Sequence, residues 1–306
     1  MQMNKKIAAV TGARGMIGEL IVFNLIKEGW NVRVLTRSSG YFKHKKIEEF
    51  VSDLHSEKLD EFVKGVDAVF HCAAELYNEK KMHSTNVNGT KKLLKAVSNS
   101  NISYFCHLSS AGVIGPTSLR LVDESTPCNP RNAYEISKYK AELLIRKSKL
   151  DANTCILRPT NVITLSKPGV ISLAVRGNWI DKVKVFIKGG EGAHIVHAVD
   201  VARAALYFMG KGTSKIDTYF VSQDGDNNNS ISFIYNLYQE QCGCNSRVAF
   251  SLPVVLPYII RYFFRGKSLH GDVRFSNNKI IDAGFSFDYD VNKCVSEICS
   301  VKGGKF

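Results

Sequence analysis

The stretch Ile7-Ala8-Ala9-Val10-Thr11-Gly12-Ala13-Arg14-Gly15-Met16-Ile17-Gly18 decides the fold. Four consecutive apolar residues fit a strand buried on both faces, and an apolar helical pattern from Ile17 to Lys27 begins as soon as the turn ends. Gly12, Gly15 and Gly18 supply what such a junction needs: a tight turn, a backbone that can approach a pyrophosphate, and close packing of helix on strand. The opening turn of the helix, with Arg14, Met16 and Ile17 beside it, directs backbone N–H groups at the anion.

Outward from this motif the same rhythm repeats. Apolar runs at Val32 to Leu35, Ala68 to Cys72 and Tyr104 to Leu108 alternate with amphipathic stretches such as Val87 to Val97, and a helix from Asn132 to Lys147 leads into a strand at Thr154 to Leu157. Strand and helix in alternation predict an α/β chain, a Rossmann-type doubly wound parallel sheet whose ligands lie at the carboxyl ends of its strands. After Arg158-Pro159 the pattern weakens, with Pro168, Gly169, Gly189, Gly190 and Gly192 punctuating shorter segments and a polar loop at Asp224 to Ser230. The expected division is a dinucleotide-binding domain over 1–165 and a smaller, mainly substrate-binding region over 166–306, with segments around 194–222 returning to the sheet. Ser251 to Phe264 is apolar and aromatic but too short to cross a bilayer, which predicts the wall of a substrate pocket or a buried helix first and a membrane-facing patch second.

Composition narrows the function classes. The 306 residues are 44% hydrophobic, enough for a substantial core, and Lys5 and Lys6 followed by the polar turn leave no apolar leader after Met1, so a cytoplasmic protein is expected. The formal charge of +13 is dispersed in small lysine clusters without interleaved aromatics, which argues against nucleic acid and for phosphate-bearing small molecules or an anionic surface. Eight cysteines, with Cys242-Gly243-Cys244 lacking a second pair, predict reduced thiols rather than disulfides and no metal site.

Two further positions carry chemistry. The second strand ends in Thr36-Arg37-Ser38, without the carboxylate that holds the ribose hydroxyls of NAD, so the Arg37 guanidinium favours the 2′-phosphate of NADP(H), with NAD(H) as the alternative. A tyrosine four residues before a lysine occurs five times, and context selects Tyr134 and Lys138, on a helix that follows the strand end His107-Leu108-Ser109-Ser110. Positions i and i+4 share a helix face, so the Lys138 ammonium is expected to favour the Tyr134 phenolate while Ser110 holds the substrate oxygen.

With these residues in hand, the chain resembles the extended short-chain dehydrogenases/reductases, the superfamily of nucleotide-sugar epimerases, dehydratases and reductases. The resemblance runs through nearly the whole chain, from the glycine motif to Asn278-Lys279 and Gly284-Phe285. It implies that Asp53 and Leu54 flank the adenine and that the His71-Cys72-Ala73-Ala74 strand end and the Asn86-Val87-Asn88-Gly89-Thr90 helix start border the cofactor, and Leu157-Arg158-Pro159 matches the family's Leu-Arg-Pro segment. It also implies catalysis by Ser110, Tyr134 and Lys138, with Pro159 at the cofactor and Asn161 and Arg274 at the substrate; His197, in Val196-His197-Ala198-Val199-Asp200-Val201-Ala202, reads as structural. The chain departs from the dehydratases, which place Asp-Glu after the catalytic Ser/Thr where this one has Ala111-Gly112, and it has Ala193-His194 where many relatives have an arginine. The expectation is an NADP(H)-dependent reductase of a nucleotide-linked 4-keto-6-deoxy sugar in surface polysaccharide biosynthesis. A nucleotide-sugar 4-epimerase with tightly bound NAD comes second, a steroid- or flavonoid-type hydroxyl dehydrogenase third, and a cofactor-sensing regulator last. The partner expected is a small molecule, with a homodimer open to it.

Overall fold

The computed structural model describes residues 6–148, 150–211, 216–244, 246–265 and 271–302. The expectation about the start of the chain rests partly on Met1 to Lys5, which lie outside the described residues.

The opening motif forms the strand β1 (Ile7–Thr11) and the helix α1 (Met16–Lys27), followed by β2 (Asn31–Thr36) and β3 (Ile47–Val51). After a short α2 (Leu59–Val63) come β4 (Ala68–His71), α3 (Glu79–Met82), a π-helical stretch His83–Gly89 and α4 (Thr90–Ser98). The helix expected to open near Val87 therefore starts eight residues earlier, at Glu79, and runs on through the wide π turns. Then follow β5 (Tyr104–Leu108), a two-residue β6 (Leu121–Val122), α5 (Ala133–Lys147) and β7 (Asn153–Pro159). Asn132 caps α5: its Oδ1 accepts the N–H of Glu135 at 2.9 Å, and the Glu135 carboxylate reaches back to Arg131 N at 3.0 Å.

Seven strands make one sheet in the order β10-β7-β5-β4-β1-β2-β3, where β10 is Ile216–Val221, and the pairings from β3 through β7 are all parallel. This is the doubly wound sheet that the apolar runs predict. Connections from β1 lead first to β2 and β3, and the chain then returns across β1 to β4, so the strand order reverses between β1 and β4. Ala8, Ala9 and Val10 are wholly buried, as a central strand covered on both faces requires.

The chain divides into two compact units, one of 1–113, 130–158 and 201–219, the other of 114–129, 159–200 and 220–306. The first is built on a core of Leu35, Phe62, Val69, Leu93, Phe105 and Ile156. In the second, β8 (Asn161–Ile163) pairs with β9 (Ile195–His197), β6 pairs with β11 (Arg274–Phe275), and Val185, Ile195, Ile234, Tyr235 and Val295 are central to the core. Its helices include α6 (Ser172–Arg176), α7 (Trp179–Lys188), α9 (Ile231–Gln241), α10 (Val255–Arg265), α11 (Asn278–Asp282) and α12 (Val291–Lys302), and α8 (Ala198–Tyr207) passes from the second unit to the first.

Two expectations fail here. Cys242 and Cys299 form a disulfide between the end of α9 and α12, with Cα atoms 5.9 Å apart, because packing of these helices joins cysteines 57 residues apart in sequence. The helix within Ser251 to Phe264 is not buried: Phe263 and Phe264 are 81% and 85% exposed. Apolar periodicity had set its face but could not say what that face meets. Among the described residues no His/Cys/Asp/Glu cluster could hold a metal ion, and no helix is long and apolar enough to cross a membrane.

Candidate active site

At the carboxyl end of β1, each glycine of the motif meets a different constraint. Gly12 has φ +67°, and a Cβ there would lie 2.6 Å from Ala73 N, at the end of the neighbouring β4. A Cβ on Gly18 would lie 2.3 Å from Gly12 O, so helix and strand could not pack as they do. Gly15 N donates to Gly12 O at 2.9 Å, closing the turn, and α1 starts without a side-chain cap, its first N–H groups facing the crevice at the strand reversal. The shape fits a pyrophosphate, and Ala73 lies against the turn.

Arg37 is exposed at the end of β2, while Thr36 donates its hydroxyl to Ser38 O at 2.9 Å. Arg14 reaches the same place from the glycine turn: its Nη1 donates to Ser38 Oγ at 2.9 Å, and its guanidinium lies 4.5 Å from the ring centre of Tyr41, whose hydroxyl is held by Glu19. Two arginines thus flank Ser38 beside the turn. Asp53 is exposed and accepts from His55 N at 2.7 Å, whereas Leu54 is buried against Gly89, where an added Cβ would stand 2.9 Å from the leucine Cβ.

Asn86, in the π stretch, connects β4 to α5. Its Oδ1 accepts Glu75 N at 2.7 Å, and its Nδ2 donates to Glu75 O and to Ser137 Oγ, fixing the strand end Ala73-Ala74-Glu75 next to the helix of Tyr134 and Lys138. The Ser137 hydroxyl donates in turn to Tyr134 O at 2.7 Å.

Ser110 follows β5 and accepts Gly112 N at 3.1 Å, and its hydroxyl lies within hydrogen-bonding reach of the Tyr134 phenol. Burial raises the pKa of Tyr134, and the Ser110 contact offsets part of that rise. The direction is opposite to the one expected from Lys138, because burial of the phenol outweighs the nearby positive charge. Lys138 itself is 2% exposed, and burial brings its ammonium down to about 8, opposed by the nearby Cys72 and Glu142.

The sequence reading missed what lies around Lys138. Glu142, wholly buried one turn beyond it, accepts the Ser109 hydroxyl at 2.5 Å and Arg158 at 3.0 and 2.7 Å. Its spacing from Tyr134 and Lys138 puts all three on one helix face, a signal that was present in the sequence. Below the other side, the rings of His71 and His107 lie 5.1 Å apart. The His71 nitrogens are each 2.8 Å from a hydroxyl, of Thr11 and Thr90, and burial first, then Lys138, lowers its pKa to about 3.

The remaining candidates belong to the second unit, beginning with Pro159, the buried last residue of β7. The Asn161 amide donates to Ala193 O at 2.8 Å, and Arg274 donates to Asn227 Oδ1 at 2.6 Å. His194, at φ +54°, stands 2.6 Å from Asp224, which also accepts Phe275 N, so the loop expected to be merely polar is partly buried and ordered by this pair. His197 stacks on Tyr289 at 3.8 Å between ring centres.

Comparison with known proteins places this geometry. Sterol-4-alpha-carboxylate 3-dehydrogenase, decarboxylating, of Dictyostelium discoideum is 27% identical over 265 residues, which are 80% of this chain and 79% of that protein. A Methanocaldococcus jannaschii protein named as a UDP-glucose 4-epimerase is 30% identical over 222 residues, 64% of this chain and 71% of that one. Coverage of relatives varies, and of one the chain spans only about half the length, 52%. In fold, the chain matches the Bordetella bronchiseptica enzyme WbmH in complex with NAD+, with a TM-score of 0.76 at 18% identity over 99% of this chain and 100% of that one. The sequence profile of the NAD dependent epimerase/dehydratase family matches residues 8–221, and the chain belongs to that family of nicotinamide-dependent enzymes.

Proposed function

We propose that the protein is an NADP(H)-dependent reductase of a nucleotide-linked 4-keto-6-deoxy sugar, working in the cytoplasm on precursors of surface polysaccharide. The observation that carries this reading is the placement of the Ser110 hydroxyl within reach of the Tyr134 phenol, a pair suited to hold a carbonyl oxygen and give it a proton. Lys138 would hold the ribose hydroxyls of the cofactor, and its ammonium would balance the charge left on the phenolate once the proton has gone. The nicotinamide, when bound, would supply the hydride. The glycine turn and the first N–H groups of α1 would hold the pyrophosphate, Asp53 and Leu54 the adenine, and Ala73, Ala74, Asn86 and Pro159 the remaining wall. Arg37, with Arg14 beside it, is the counter-charge for a 2′-phosphate. Asn161 and Arg274 are the residues of the second unit proposed to meet the nucleotide sugar.

A second reading is a 4-epimerase that retains NAD, favoured by the likeness to the Methanocaldococcus protein and by the NAD+ of the Bordetella enzyme. A third, oxidation of a sterol-like alcohol, has the long match to the Dictyostelium enzyme in its favour. Steady-state assays decide among them. Stoichiometric loss of NADPH with a nucleotide-linked 4-keto-6-deoxy sugar supports the first. Interconversion of C4 epimers without net cofactor consumption overturns it for the second, and NAD+ reduction by a sterol alcohol for the third.

A further inference from the structure

The second unit carries an apolar surface that the proposed reaction does not use. On α7 the inner side is Asp181 and Val185, with the Asp181 carboxylate held by Arg176 and Lys184. The outer side is apolar where a solvated helix would be polar: Trp179 is 73% exposed, and Val183 and Phe186 lie at i+4 and i+7 from it, also exposed. The neighbouring α10 presents Leu256, Ile260, Phe263 and Phe264, again at i, i+4, i+7 and i+8. Both helices are fixed to one support, because Leu252 N donates to Phe186 O at 2.7 Å and Arg261 pairs with Glu191 at 2.6 Å just past the end of α7.

Basic residues outnumber acidic ones on these elements. The α7 sequence holds Lys182, Lys184 and Lys188 against the single buried Asp181, to which Lys184 is bound, and Arg261 of α10 pairs with Glu191. An apolar, aromatic stripe bordered by lysines matches the boundary between acyl chains and anionic headgroups, where rings sit at headgroup depth and cations meet phosphate. Eleven residues of α10 give about 16 Å, enough to lie in that boundary and too little to cross it. A second copy of the chain fits less well, because it would bring the same positive charges to the contact and add to a net charge already at +13.

We propose that α7 and α10 dock the second unit on the surface of a membrane rich in anionic phospholipid. The proposal does not depend on the identity of the substrate, and its test needs no turnover. The full-length protein is mixed with vesicles of phosphatidylcholine, alone or with phosphatidylglycerol, and followed by sedimentation and by tryptophan emission. Of the two tryptophans Trp30 is buried and Trp179 exposed, so a blue shift reports the α7 face. The expected result is co-sedimentation with the phosphatidylglycerol vesicles, weakened by salt, with a blue shift. Phe263→Ser combined with Phe264→Ser should weaken binding roughly tenfold or more, and Lys182→Glu with Lys188→Glu should do the same, while circular dichroism and thermal unfolding stay unchanged. Equal binding to both vesicle types overturns the proposal. So does an absence of binding, whether the protein remains monomeric or self-associates through a contact that the phenylalanine substitutions abolish.

Discussion

Replacing Lys138 by Met should make the protein more stable while damaging its function. The ammonium is 2% exposed, and burial lowers its pKa from 10.5 to about 8, so the folded state accepts the charge only at a cost. The gap between 10.5 and about 8, at about 1.4 kcal/mol for each pH unit, puts that cost at about 3 kcal/mol. Because the folded value is the lower one, the unfolded chain binds the extra proton between about pH 8 and 10.5. The cost is therefore present in full below about pH 8 and fades as pH rises toward 10.5. Methionine keeps much of the apolar stem without the charge, so the variant should gain up to about 3 kcal/mol at pH 7, less what is lost in packing. The gain should shrink by about 1.4 kcal/mol per pH unit above pH 8. Urea unfolding of both proteins across pH 6 to pH 10 measures the difference, and the same variant should bind cofactor more weakly and turn over far more slowly. A destabilised variant at pH 7, or a stability difference that does not move with pH, would refute the reasoning and make Lys138 an ordinary structural residue.

Thr36→Asp with Arg37→Ala should reverse a preference for NADPH over NADH of about ten- to hundredfold in kcat/KM, read from steady-state kinetics at fixed ionic strength. Wild-type use of both cofactors alike would leave Arg37 as a surface residue. Glu142→Gln removes the carboxylate from Ser109 and Arg158 in a buried cluster and should cost about 3–5 kcal/mol of stability by urea unfolding, a loss of under 1 kcal/mol being the contrary result. For wild type, kcat/KM should fall as pH rises through about 8, where free Lys138 loses its proton, and a profile flat from pH 7 to pH 9.5 would oppose that assignment.

Much of the fold was legible because central parallel strands are apolar on both faces, so Ile7 to Val10 and Tyr104 to Leu108 stand out from their neighbours. The edge strand β3 did not stand out, since Ile47-Glu48-Glu49-Phe50-Val51 carries two glutamates, one paired with Arg33 on β2. Turn chemistry was readable at Gly12, whose left-handed backbone and crowding by Ala73 leave room for no side chain. For the candidate site, sequence context grouped Ser110 with Tyr134, whose side chains lie within hydrogen-bonding reach, but it did not show the effect of burial on the phenol, because burial depth is a property of the packed chain. The disulfide of Cys242 and Cys299 and the open face of α10 were hidden for a related reason: both depend on which helix meets which, a matter of tertiary packing that helical periodicity does not encode.

The most direct test of the central claim is single-turnover reduction of a nucleotide-linked 4-keto-6-deoxy sugar by Tyr134→Phe, followed by nicotinamide absorbance. Only the phenolic hydroxyl is removed, in a pocket shaped by other residues, so cofactor Kd should stay near the wild-type value while the rate falls roughly 10²-fold or more. A rate close to wild type with normal cofactor binding would contradict the account, because the proton would then come from another group and the half-buried phenol beside Ser110 would have no part in the chemistry.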